Sequence, residues 1–133
     1  MSLAPLTEAH LLVQVHVGAA LAAFLLGGYQ MAARKGTALH RKAGWAWVLL
    51  MGLVAASSAG IVSSHPRLGP CGWIHILSAS TLVMLPLGVL HARRRWIRAH
   101  RLTMMGLFFG GLVVTGLFTL LPGRILHQVV FAG

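Results

Sequence analysis

Acidic side chains are almost missing. The 133 residues include no aspartate and one glutamate, Glu8, and the charged types together make up only 9%. A soluble domain keeps roughly 25% of its residues charged to hydrate its surface, so a soluble globular fold is excluded. The same scarcity leaves ordinary catalysis without support. One carboxylate makes no acid–base pair, no Asp orients a Ser–His system, and no glycine-rich loop follows a strand to cradle phosphate. Cysteine is equally scarce: Cys71 is alone in a Gly- and Pro-rich stretch, cannot form an internal disulfide, and reads as a plain free thiol.

What fills the chain is apolar, 57% hydrophobic by count, and stretches free of Asp, Glu, Lys and Arg cover 9–33, 43–66, 68–92 and 102–123. About 20 apolar residues, rising 1.5 Å each, cross a hydrocarbon core of roughly 30 Å. The expectation is one domain over 1–133, all-α, an integral membrane up-down four-helix bundle with helices at about 9–33, 38–64, 73–92 and 98–121. Turns then fall at 34–36 ahead of an N-capping Thr37, at 65–72 with Pro66 and Pro70, and at 93–96.

The net charge of +10 is unevenly placed. Arg34, Lys35, Arg41 and Lys42 flank the first turn and Arg93, Arg94, Arg95, Arg98 and Arg101 the third, against Arg67 and Arg124 on the opposite side. By the positive-inside rule this predicts a multi-pass protein of a bacterial inner membrane with both termini non-cytoplasmic. The start MSLAPLT lacks the basic region of a cleaved signal peptide, so the first helix is expected to stay. The bases then read as orientation signals and contacts to anionic lipid of the bilayer, not as a nucleic-acid surface.

A weak internal repeat is visible. An offset of 59 residues aligns His16 with His75, Ala20 with Ala79, Leu26 with Leu85, Ala33 with Ala92, Arg34 with Arg93 and Lys35 with Arg94; an offset of 60 aligns His40 and Arg41 with His100 and Arg101. A duplicated two-helix hairpin would make the first and third helices, and the second and fourth, diagonal partners across a bundle.

That places the histidines in two layers. His16 precedes Arg34 by 18 residues, or roughly 27 Å of helix, and His75 precedes Arg93 by the same number. Both belong near the outer surface, while His40 and His100 begin helices at the inner one. A polar ionisable group within a membrane helix is costly and raises a functional question. Paired imidazoles on diagonal helices are the layout of transmembrane b-type cytochromes, in which two stacked haems carry electrons across a membrane. The expected cofactor is haem b, held by His16 with His75 and by His40 with His100, with Arg41, Arg101, Arg67 and Arg124 available to propionates and a quinone as exchange partner. Below His16 one face reads Ala20, Ala23, Gly27 and Gln30, a groove that would admit a macrocycle or let helices pack closely. Interface anchoring for His40 and His100, and a hydrogen bond to a neighbouring helix for His16 and His75, are the plainer readings. His91 reads as a polar helix end.

Two other functions stay open. A cofactor-free interaction or assembly subunit, with a membrane-protein partner or a homodimer, would use small-residue faces such as Gly106 and Gly110, although packing within the bundle explains these too. An outer zinc or copper site would use His65 and His127 with His16 or His75, but no HxxxH or HxH pair places two ligands on one helical face.

The strings KGTALHRKAGWAWVLLM (35–51), SSAGI (57–61), IHILSASTLVMLPLGVLHARR (74–94), AHRLTMMGLFFGG (99–111) and GLFTLLPGRILHQVVF (116–131) resemble the small bacterial membrane proteins grouped under domain of unknown function 2306. The resemblance spans nearly the whole chain and implies a four-helix integral membrane protein without an assigned ligand or activity. It sets His16, Gln30, His40-Arg41, Gly44-Trp45, His75, His100-Arg101 and Pro122-Gly123-Arg124 on the motif positions.

Overall fold

The computed structural model describes residues 4–64, 72–122 and 124–131. Helices run over Ala4–Thr7 (α1), Leu11–Ala32 (α2), Ala38–Ser64 (α3), Gly72–Arg93 (α4), Ile97–Gly106 (α5), Thr115–Thr119 (α6) and Ile125–Phe131 (α7), and a π-helical segment, Leu107–Val114, joins α5 to α6. The fold is all-α, and four rods are long and apolar enough to cross a membrane: Leu11–Ala32, Ala38–Ile61, His75–Arg93 and Ile97–Thr119. His65, Arg67, Cys71 and Gly123 lie outside the described residues.

Helix limits follow local hydrogen bonding. His10 caps α2, its Nδ1 accepting from Leu12 N at 3.3 Å, so the helix begins at Leu11. Gln14 Nε2 reaches back to Thr7 O (3.0 Å) and Ala9 O (2.9 Å), tying α1 to α2. Thr37 Oγ1 accepts from His40 N at 3.1 Å, the expected cap of α3. Hydroxyls inside the rods also find backbone carbonyls: Ser57 Oγ donates within reach of Leu53 O (2.7 Å) and Val54 O (3.0 Å), and Thr103 Oγ1 donates to Ala99 O (2.8 Å). Where no water is available, such local bonds are what make a hydroxyl tolerable.

The packing is a closed ring. α2 lies on α3, α3 on α4, α4 on α5 and the π segment, and the π segment on α2. Among the described residues neither α2 with α4 nor α3 with α5 makes a close backbone approach, so these are the diagonals. The two hairpins also share their turn geometry at the repeat offset. Gly36 has φ +80° and Arg95, 59 positions later, has φ 58°; α3 opens at Ala38 and α5 at Ile97, also 59 apart. His40 is therefore the third residue of its helix and His100 the fourth, which explains why the histidines align only at the longer offset.

The centre is filled by side chains. Ala23, Trp47, Met51, Leu85, Leu107, Phe108 and Leu112, drawn from all four rods, form one buried cluster. Trp47 Nε1 donates to Ala23 O at 3.0 Å. A Cβ on Gly27 would lie 2.6 Å from Phe108 Cδ2 and 2.8 Å from Trp47 Nε1, so that glycine exists to admit two aromatic rings. The stripe Ala20, Ala23, Gly27 and Gln30 thus faces inward and is occupied by the indole and phenyl rings; of its two readings, close packing is the one realised here. Gly106 and Gly110, by contrast, would set a Cβ into open space. They do not serve packing within the bundle; their lack of a side chain leaves a shallow face outward.

Candidate functional site

Four elements converge on a polar layer at the turn end that carries the nine bases. Gln30 comes from the last turns of α2, His40 from the first turn of α3, Gly88 from α4 and His100 from the first turn of α5. Gln30 Nε2 donates to His40 O at 2.9 Å, and a Cβ on Gly44 would already stand 3.3 Å from that nitrogen, so α2 and α3 approach closely here. His100 Nδ1 lies 2.8 Å from Gly88 O. A carbonyl only accepts, so Nδ1 carries the proton, and in the neutral ring Nε2 presents its lone pair.

His40 is half-buried, and its Nδ1 is fully enclosed without a hydrogen-bond partner; the same is true of Gln30 Oε1. Orphaned buried polar atoms are rare in folded proteins and call for a reason. Here the two are complementary, since an imidazole N–H is a donor and an amide oxygen an acceptor. His40 lies close enough to both His100 and Lys35 for their charges to interact. The two histidines of this end thus open diagonal helices, the ring of His100 oriented by a backbone carbonyl and that of His40 enclosed, in the residue whose carbonyl the Gln30 amide nitrogen holds.

The other layer is arranged differently. His16 is half-buried on α2 with Nδ1 2.8 Å from Ser57 Oγ on α3, the hydrogen bond between neighbouring helices that was its plainer reading. His75 is exposed. The buried stripe of α4 runs through Ser78, Thr81, Leu85 and Gly88, and at 3.6 residues per turn His75 sits about 100° from its middle. The structure shows no contact between His16 and His75.

The remaining candidates are dispersed. Arg41 donates from Nη1 to Gly36 O at 3.1 Å; Arg101 and Arg124 are exposed. His127 packs its ring against Phe131, centroids 5.0 Å apart. Among the described residues no three His, Cys, Asp or Glu side chains gather where one metal ion could be held. His91, read as a helix end, joins a small polar cluster: its Nδ1 is 3.3 Å from Thr103 Oγ1, and its ring stands 5.9 Å from that of Trp96. Thr103 was not a candidate by sequence; a buried hydroxyl one turn after His100 was the available signal. No protein-family model matches the chain, and neither the curated proteins nor the solved structures yield a similar one.

Proposed function

We propose that this chain is a multi-pass protein of a bacterial inner membrane, its basic end cytoplasmic, that holds one b-type haem at that end through His40 and His100. The observation that carries this reading is the enclosed, unpartnered Nδ1 of His40, together with the orphaned Oε1 of Gln30, whose amide nitrogen bonds His40 O, across the diagonal from a histidine whose proton is fixed on Nδ1. Ligating histidines commonly give their second N–H to a carbonyl or amide oxygen, which fixes the tautomer and turns the other nitrogen toward the metal. Gly88 O does this for His100, and Gln30 Oε1 is available to do it for His40.

Haem, when bound, supplies one-electron transfer, with a quinone as the membrane-soluble exchange partner. The chain's own part is to orient two imidazoles, to exclude water with the packed layer of Trp47 and Phe108, and to offer guanidinium charge from Arg101 to carboxylates at the surface. The aromatic filling of the bundle centre does not fit a second macrocycle, and His75, the diagonal counterpart of His16, is exposed, so one haem is proposed and not two.

The test is an absorption spectrum of the detergent-purified protein, oxidised and then dithionite-reduced, with a pyridine haemochrome assay. A Soret band with sharp reduced bands, lost in His40→Ala and His100→Ala and kept in His75→Ala, is the expected result. A colourless protein after expression with ample haem would overturn it. The packed centre and the outward Gly106 and Gly110 favour one second reading, a cofactor-free subunit of a larger membrane assembly, for which co-purification of a partner with a colourless protein is the sign.

A further inference from the structure

The two basic turns have the same sign of charge but use it differently. In the α2–α3 turn Lys35 Nζ donates to Met31 O and Arg41 Nη1 donates to Gly36 O, so two of its four cationic groups satisfy carbonyls of their own hairpin. In the α4–α5 turn five arginines fall within nine residues, Arg93, Arg94, Arg95, Arg98 and Arg101, all exposed. Among the described residues none of their guanidinium groups donates a hydrogen bond or has an acidic neighbour, and the single acid of the chain, Glu8, is at the N-terminal end of α2.

The second turn instead sets one of its guanidiniums on an aromatic ring. The Arg94 guanidinium stands over the Trp96 ring, 5.4 Å from its centroid, and the other neighbour of that ring is His91, at 5.9 Å. Arg95 occupies the left-handed position, φ 58°, that glycine fills in the first turn. An L side chain is strained there and glycine is not, so the fold of the turn does not account for an arginine at this place. A stacked guanidinium next to several unpaired ones is an arrangement suited to bidentate contact with phosphate oxygens.

We propose that the α4–α5 turn is a binding site for the phosphate headgroup of an anionic phospholipid, and that the α2–α3 turn is not. Charge complementarity selects the ligand: these guanidiniums lie at the end of apolar rods, where lipid phosphates are the anions held at the right depth. The site does not depend on haem.

The test is native mass spectrometry of the full chain in neutral detergent, titrated with phosphatidylglycerol, with phosphatidylcholine and with inorganic phosphate. Both lipids carry the phosphate, but the choline ammonium cancels its charge; at about 1 kcal/mol, or about fivefold, for each of two guanidiniums facing a net-negative headgroup, phosphatidylglycerol should be preferred over phosphatidylcholine by about 25-fold. Arg94→Gln with Arg95→Gln should abolish that preference, whereas Lys35→Gln with Arg41→Gln should leave it within about twofold. Should the first double variant fail to insert, Arg94→Lys with Arg95→Lys keeps the charge and loses the planar fork, so the preference should remain while the affinity for phosphatidylglycerol falls about fivefold. Equal binding of the two lipids, equal loss from either turn, or an undiminished affinity for phosphatidylglycerol in the lysine variant would overturn the proposal. Displacement of phosphatidylglycerol by inorganic phosphate would assign the turn to free phosphate and overturn its assignment to lipid.

Discussion

Substituting Gly27 by alanine tests how the bundle centre is built. The added Cβ would stand 2.6 and 2.7 Å from Phe108 Cδ2 and Cε2 and 2.8 Å from Trp47 Nε1. Carbon atoms pack comfortably at about 3.5–4.0 Å, so both rings must retreat by about 1 Å. Neither is free to do so. Trp47 is held by its bond to Ala23 O, and Phe108 is stacked on Phe24 (5.7 Å between centroids) and set edge-on to Phe109 (5.2 Å). Overpacking of this kind costs about 1–3 kcal/mol, and losing the indole bond adds about 1 kcal/mol. The gain in helix propensity from Gly to Ala offsets about 1 kcal/mol, leaving a net loss of about 1–3 kcal/mol. Gly28 is the internal control, because a Cβ there meets nothing within 4 Å; Gly28→Ala should be neutral or stabilising by up to about 1 kcal/mol. The assay is reversible unfolding in mixed micelles by increasing the fraction of sodium dodecyl sulfate, followed by tryptophan fluorescence. Equal stabilities for the two variants would refute the packing argument, as would a failure of Phe108→Leu to restore part of the loss in the Gly27→Ala background.

Three further outcomes are expected. Ser57→Ala should cost about 1 kcal/mol in the same assay by removing the hydroxyl from His16 Nδ1 and leaving the imidazole only the Val54 backbone, while Ser57→Thr, which keeps the hydroxyl, should cost less. Arg95→Gly should stabilise the α4–α5 turn by about 0.5–1 kcal/mol by relieving the left-handed backbone, and Arg95→Val should destabilise it. Gln30→Leu should weaken haem retention about 10–100-fold in a haem-transfer assay and, because it also removes the Nε2 bond to His40 O, should cost about 1 kcal/mol of stability.

The four rods were legible in the sequence because the test is simple: a charge-free run of sufficient length has few alternatives to crossing a bilayer. The diagonal placement of His40 and His100 was legible for the same kind of reason, since a hairpin repeat fixes which helices face each other. What escaped was rotation and filling. His75 aligns with His16 along the chain, yet alignment fixes depth and not the direction around a helix, and His75 is exposed. The groove below His16 was correctly seen as small, but a list of small residues does not say which large ones enter it; that required Trp47 and Phe108 to be positioned from two other helices. Gly106 and Gly110 read as packing residues, yet a Cβ on either would meet nothing within 4 Å, because a four-residue spacing puts two glycines on one face without saying which way it turns; beyond Gly106 the π-helical segment also alters the face on which later residues fall. Nothing in the string LFFGGLVV marks that change.

That segment bears on how this helix can vary in length. A stretch bonded i→i+5 holds one more residue per turn than the ladder on either side needs, so it behaves as slack in an otherwise taut rod. Removing one residue between Leu107 and Val114 would let the ladder close as ordinary α-helix, leaving α5 with its His100 undisturbed and keeping Thr115–Thr119 on much the same side. The fourth rod can therefore absorb an insertion or a deletion midway along its length without loss of the polar layer at one end. The other three, which have no such reserve among the described residues, would pass the same change to every residue beyond it.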